Sequence, residues 1–357
     1  MRASAWRTYA PTVEHGTGPF IRIRSSTRRL ADWAEAAATQ ALSLRSTSST
    51  TDPPADRGST LTVELQQGTS PVPPSAKTLA TDERGNLLRT SAGWRWVCSG
   101  YDLVVSADAK RATIEFHESS FSTRGFRVTA YALRHTLTVL LPRTQRYPLH
   151  AAGLCLPESR RAVILAGPSG CGKSTLTAGL LDRGWQCLSD DLLVLTPPTD
   201  PFPRGRTYGL TQHVRLWPDA WKRLGLSSEN AQEGTYGTSE KRSFALSSRS
   251  GSGSGFLGKP HWVLFPEIDD RSQSRLVPID PSEALRRGFE QMPPPASLPD
   301  SVAAAQFETI AAVVRESQCL RLQAGRDLHD DPGQFADLLS THANNLFSDA
   351  QLATSVT

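Results

Sequence analysis

The residues with the plainest chemical meaning run from Gly167 through Pro168, Ser169, Gly170, Cys171, Gly172, Lys173 and Ser174 to Thr175. Cradling a triphosphate takes successive backbone N–H groups turned inward, which glycine tolerates. It also takes a following helix N-terminus whose partial positive charge faces the phosphates. Gly167, Gly170 and Gly172 meet the first need; Lys173 would reach the β- and γ-phosphates and Ser174 would offer its hydroxyl to Mg²⁺. Asp191 follows Lys173 by eighteen residues, directly after Asp190. Adjacent carboxylates can divide labour, one holding the metal with Ser174 and the other accepting the proton of an attacking hydroxyl. His150, in the apolar run YPLHAAG, reads by itself as a core histidine as readily as a catalytic one. Cys171 sits where a helix N-terminus lowers a thiol pKa, and equally where any small residue fits. Lys241 and Arg242, just before SFAL, can steady phosphate or substrate, or stand in water; Arg326 is a weaker candidate of the same kind.

These residues need a scaffold, and the pattern around them supplies one. LHAAGLCL and RAVILAG read as strands, a helix over 174–182 is stopped by Gly184, and WQCLSDDLLVL reads as one further buried strand. Strand, loop, helix and strand at this spacing predict a parallel crossover unit, with the acid pair at a C-terminal strand end facing the phosphates. Downstream, LWPDAWKRLGL, PSEALRRGFE and SVAAAQFETIAAVVRES read as helices, and HWVLFPEI and QCLRLQ as strands. The fold class is α/β.

Upstream, WRWVC, YDLVVSA and ATIEFHE alternate as a small antiparallel sheet, and FRVTAYALRHTLTVLL reads as a packed helix. The first 90 residues hold the strand-like FIRIR and LTVELQ and a helix in RRLADWAEAAATQALSLR. Polar stretches over 46–60 and 66–78 read as disordered linkers. The expected organisation is a loosely built α+β module over 1–90, a small sheet and helix over 91–146, a catalytic domain over 147–330, and a helix and polar tail over 331–357. A boundary at 90 predicts that removing residues 1–90 leaves nucleotide binding intact.

The chain has 357 residues, 38% of them hydrophobic, and a net charge of +4. That mild charge lacks the dense basic clusters that nucleic acid demands. No stretch approaches the ~18 apolar residues of a membrane span. The five cysteines stand singly, without zinc-ligand spacing, and predict a reducing, cytoplasmic setting.

His150 in LHAAG, then AGPSGCGKST, a Gly-ended helix and LSDD resemble the core of the HPr kinase/phosphorylase family. More remotely they are similar to the nucleotide site of phosphoenolpyruvate carboxykinase. The resemblance covers roughly 147–330 and is specific chiefly over 147–195. It implies a mixed sheet with flanking helices, ATP and Mg²⁺ as cofactors, and an oligomeric state. It also implies His150 beside the transferred phosphate, Lys173 and Ser174 on phosphate and metal, and Asp191 as general base. The chain departs from the family where a Glu-Ile-Arg-Gly stretch carries a metal-binding Glu. Here the sequence is TQHVRLWPDAW, in which Arg215 stands for the Arg and His213 replaces the carboxylate.

The function expected is transfer of the γ-phosphoryl group to a serine or other hydroxyl of a protein or peptide. A nucleotide-driven switch would need a strand ending in Asp-Glu or an Asn-Lys-x-Asp. The only candidate for the former is VLFPEI, where Glu267 follows Pro266 and lacks the preceding Asp, and the latter occurs nowhere. A module that holds nucleotide without turnover is the third alternative.

Overall fold

The computed structural model describes residues 7–11, 21–42, 44–46, 60–82, 85–121, 125–155, 161–198, 205–211, 213–224, 242–245 and 258–343. The protein is mixed α/β, built on two large sheets with helices against them.

The N-terminal strands are β1 (Arg7–Pro11), β2 (Ile21–Ser25), β3 (Leu44–Ser46), β4 (Leu61–Gln67), β5 (Lys77–Asp82), β6 (Gly85–Thr90), β7 (Gly93–Cys98), β8 (Tyr101–Ser106) and β9 (Arg111–Phe116). They form one nine-stranded sheet in the order β3-β1-β2-β4-β9-β8-β7-β6-β5. The expected antiparallel run β7-β8-β9 is there, but it lies inside a larger sheet. β4 pairs parallel with β9, and β6 pairs antiparallel with β7 across the Gly93 turn. A boundary at residue 90 therefore cuts through hydrogen-bonded neighbours. Helices α1 (Arg28–Ala36) and α2 (Gly125–Leu140) cover this sheet, with Leu30, Ala34, Leu133 and Leu137 in its core.

The stretch 66–78, read as a disordered linker, is pinned instead. Gln66 and Gln67 end β4, and Ser70 bonds Glu115 through both its N–H, at 3.0 Å, and its hydroxyl, at 2.7 Å. The Arg95 guanidinium donates to the Ser70 carbonyl at 2.6 Å and pairs with Asp102 at 2.5 Å and Glu115 at 2.9 Å. Buried charges need such partners, and a polar segment folded over them provides the remaining acceptors. The other expected linker, 46–60, lies mostly outside the described residues.

Past α2 the chain builds β10 (Tyr147–Leu149), β11 (Ala151–Cys155), β12 (Arg161–Ala166), α3 (Lys173–Asp182), β13 (Gln186–Ser189), β14 (Leu193–Leu195), β15 (Thr207–Gly209) and β16 (His213–Leu216). Then follow α4 (Pro218–Arg223), β17 (Arg242–Ala245), β18 (Lys259–Ile268), β19 (Arg275–Pro278), α5 (Pro281–Glu290), α6 (Asp300–Glu316), β20 (Gln318–Ala324), α7 (Arg326–Asp330) and a helix over 334–343. The six-stranded sheet runs β13-β11-β12-β18-β20-β19, and β10-β14-β15 form a small sheet beside it.

Two expectations change here. The run WQCLSDDLLVL is two strands in two sheets, because Asp190 and Asp191 interrupt it: two carboxylates cannot lie in a buried ladder. The crossover from β12 through α3 to β13 also skips a place, since β11 lies between them, antiparallel to both. Both faces of the six-stranded sheet are covered, which explains why its strands read as continuous apolar runs. Ala162 and Ile164 face Ile310 and Val313 of α6; Val163 and Leu165 face Leu176 and Leu180 of α3. β14 alternates in the same way. Leu193 and Leu195 enter that core, while Leu192 and Val194 enter the core of the nine-stranded sheet. No helix among the described residues is long and apolar enough to cross a membrane.

Candidate active site

The glycine-rich loop leaves β12 and ends at the N-terminus of α3. Gly170 and Gly172 take φ of +91° and +94°, the left-handed region in which a side chain is strained. The Lys173 side chain folds over the loop, its Nζ donating to the carbonyls of Gly167 at 2.5 Å and Pro168 at 2.9 Å. The ammonium is thereby stationed at the loop, next to backbone N–H groups and the helix dipole, a combination suited to phosphate. α3 is gripped on both sides. Leu176 and Leu180 pack on the central sheet, while Ala178 and Leu181 meet Val214, Leu216 and Trp221 of the β16–α4 segment. That second contact brings Arg215 of β16 over the acid pair.

His150 lies between β10 and β11, where the chain passes from the small sheet to the six-stranded one; Asp190 and Asp191 lie between β13 and β14, where it passes back. Because β10 pairs with β14 and β11 with β13, the two corners are side by side. His150 Nε2 stands 3.3 Å from Asp191 Oδ1. Asp191 Oδ2 receives two guanidinium groups, Arg215 Nη2 and Arg134 Nη1, each at 2.9 Å. Burial works to raise the Asp191 pKa. Arg134, Arg215 and His150 outweigh it and hold the carboxyl well below its usual range.

Asp190 sits in a different setting. It is buried, and burial pushes its pKa up to about 6, helped by the Asp191 charge and opposed by a hydrogen bond from Ser174 and by Arg215. Its Oδ2 accepts the backbone N–H of Arg215 at 3.2 Å, while Oδ1 is buried and, among the described residues, has no hydrogen-bond partner. An orphaned carboxylate oxygen beside a serine hydroxyl and a phosphate loop fits a hard divalent cation. Mg²⁺ takes one or two protein oxygens and fills its shell with phosphate and water. Among the described residues no three His, Cys, Asp or Glu side chains cluster to cage a metal without such help.

A cavity of about 120 Å³ joins these parts, lined among others by His150, Gly170, Lys173, Ser174, Asp190 and Asp191. No protein-family model and no curated protein matches the chain.

Of the residues singled out in the sequence, the loop, both aspartates, His150 and Arg215 come together. Arg242 opens β17 and its backbone pairs with Leu216, next to Arg215; Lys241 lies outside the described residues. Arg326 begins α7, where its N–H bonds the carbonyl of Arg271, and it lines neither cavity at the loop. Glu267 is taken by Arg287 at 2.5 Å. Arg134 escaped the sequence reading. Its signal lay in α2, where Tyr131, Arg134, His135 and Thr138 recur at helical spacing on an otherwise apolar helix, a polar and aromatic stripe that must face something other than core.

Proposed function

We propose that the chain is an ATP-dependent kinase with an HPr-kinase-like core over 147–330, moving the γ-phosphoryl group to a hydroxyl of its acceptor, a serine of a protein or peptide being the class the resemblance implies. The observation that carries this reading is the division of the acid pair. Asp190, with a raised pKa, an orphaned oxygen and Ser174 beside it in the same cavity, has the character of a metal ligand; Asp191, ringed by Arg134, Arg215 and His150, faces the loop as an ionised carboxylate.

In the transfer, the acceptor oxygen bonds to the γ-phosphorus as the bond from that phosphorus to the β–γ bridging oxygen breaks. ADP leaves with the electron pair, and the hydroxyl proton passes to Asp191. A carboxylate held at low pKa is a weak base. The loose transition state of phosphoryl transfer asks little of one, since the proton leaves late and charge gathers on the phosphoryl oxygens. Lys173 and Arg215 line the cavity at the loop and Arg134 pairs with Asp191 beside it, so that these cations would meet the developing charge, the kind of stabilisation that contributes most to such catalysis. Mg²⁺, held by Ser174 and Asp190, would neutralise β- and γ-phosphate charge.

The test is incubation with γ-labelled ATP and candidate acceptors, comparing the wild type with Lys173→Ala and Asp191→Asn. Label should pass to a hydroxyl in the wild type and fall by several orders of magnitude in both variants. Undiminished transfer by Asp191→Asn would refute the assigned base. Hydrolysis that changes affinity for a partner, without any transfer, would favour a switch.

A further inference from the structure

A second and larger cavity, of about 540 Å³, opens on Asp191 and extends away from the phosphate loop. It shares His150, Ser169, Asp191 and Arg215 with the phosphate site. Its far walls come from elsewhere: Leu87 and Trp96 from the nine-stranded sheet, Tyr131 and His135 from α2, and Met292 and Pro293 from the segment after α5.

Those walls are fixed in place. Tyr101 Oη and His135 Nδ1 are hydrogen-bonded at 2.8 Å, and the Trp96 ring meets His135 edge-on at 5.4 Å. Trp94 Nε1 donates to the Ala296 carbonyl at 2.8 Å, and Gln306 Nε2 donates to that of Pro293 at 3.0 Å. The N–H of His150 itself donates to the Gln291 carbonyl at 2.8 Å, tying this wall to the reacting corner. A preformed hollow within the ~300–1,000 Å³ range of small-molecule sites, with apolar walls and Arg134, His150, Asp191 and Arg215 together at the reacting corner, has the make-up of a ligand pocket.

We infer that this cavity is the acceptor site, and that the acceptor is a compact hydroxyl compound whose aromatic or aliphatic body lies between Trp96, Tyr131 and Met292 with its oxygen at Asp191. The inference rests on the kinase reading and narrows its acceptor. A hollow of about 540 Å³ walled from three elements has the size of a small-molecule site, and the broad face of a folded protein cannot fill it to its floor. In the transfer the compound's oxygen gains the γ-phosphoryl group and loses its proton to Asp191, while ADP departs.

The probe is 2-phenylethanol, a primary hydroxyl on an aromatic body, added to the full chain with Mg²⁺ and γ-labelled ATP. Its binding is also measured by calorimetry without nucleotide. Thr138→Phe places a ring in the cavity from α2, and Trp96→Ala removes one of its walls. The wild type should bind the alcohol and form labelled phenylethyl phosphate, and both variants should bind it at least tenfold more weakly while still binding a fluorescent ATP analogue. Failure of the wild type to bind the alcohol, or equal binding by all three proteins, overturns the proposal. So does phosphorylation of a folded serine-bearing protein at the wild-type rate by Thr138→Phe. If instead the alcohol binds as expected but no nucleotide does, the kinase reading fails and the cavity stands as a ligand site.

Discussion

Arg134 Nη1 lies 2.9 Å from Asp191 Oδ2, so the helix that covers the N-terminal sheet reaches the carboxylate beside the phosphate loop. The Arg134 Nε is buried and, among the described residues, has no hydrogen-bond partner.

An arginine so placed can follow the γ-phosphate as charge develops on it. Arg134→Gln should lower the rate of phosphoryl transfer by about 100-fold or more, the usual loss when one donor to transition-state charge is removed. ADP, which lacks the γ-phosphate, should bind almost unchanged. Rates with Mg²⁺-ATP and the affinity of a fluorescent ADP analogue check this; equal losses in both would make Arg134 a structural group only.

Asp190 predicts a proton-linked metal site. With its pKa near 6, Mg²⁺ must displace a proton below that pH. Titration of Mg²⁺-dependent nucleotide binding should show affinity falling about tenfold per pH unit below pH 6 and level above it. In Asp190→Asn the dependence should vanish together with most of the affinity.

The same group bears on stability in the opposite sense to an ordinary ion pair. An unfolded-chain Asp titrates near ~3.9, so between there and about 6 the folded state holds the extra proton. Stability contributed by Asp190 is therefore lost as pH rises through that window, by about 3 kcal/mol in all. Asp191, held low, contributes stability above the usual carboxylate range that is lost as pH falls through its folded pKa. Thermal unfolding of the ligand-free protein at pH 8 should show Asp190→Asn more stable than the wild type and Asp191→Asn less so.

Arg95 is buried among Asp102, Glu115 and the Ser70 carbonyl. Arg95→Ala leaves two buried carboxylates without their cation and should cost about 3–5 kcal/mol, read as a fall of about 5 °C in the thermal midpoint. A milder effect would mean that water enters and solvates them.

Removal of residues 1–90 now carries a different expectation from the one its composition suggested. It strips β1 to β6 and bares β7 and β9 along their hydrogen-bonding edges. The shortened chain should aggregate, as unprotected edges do, and this is checked by size-exclusion chromatography after expression.

Legibility in the sequence followed the range of the interaction. The loop, α3, α5 and α6 rest on local signals such as glycine spacing, a stop at Gly184, and prolines at helix starts, and their extents match closely. The parallel pairing of β2, β4 and β9 joins segments that are far apart in the chain, with α1 and β3 between the first two and β5 to β8 between the last two, and nothing local announces it. The sheet change at Asp190 was readable in principle, because two acids in the run LSDDLLVL cannot remain in a buried strand. Apolar periodicity outweighed that signal. Arg134 lay hidden because a lone basic residue on a helix ordinarily points to water.

The side-by-side corners at His150 and Asp190–Asp191 make this part of the chain a ruler. Tyr147 to Leu149 are measured against Leu195 to Leu193, and Gly153 to Cys155 against Ser189, Cys187 and Gln186, with an irregularity between Gly153 and Leu154. Even there the clearance is set, since a methyl on Gly153 would come within 2.6 Å of the Leu193 side chain. An insertion or deletion of one residue along either edge would turn His150 away from Asp191 while leaving every motif intact. Length, as much as residue identity, is what this stretch must preserve.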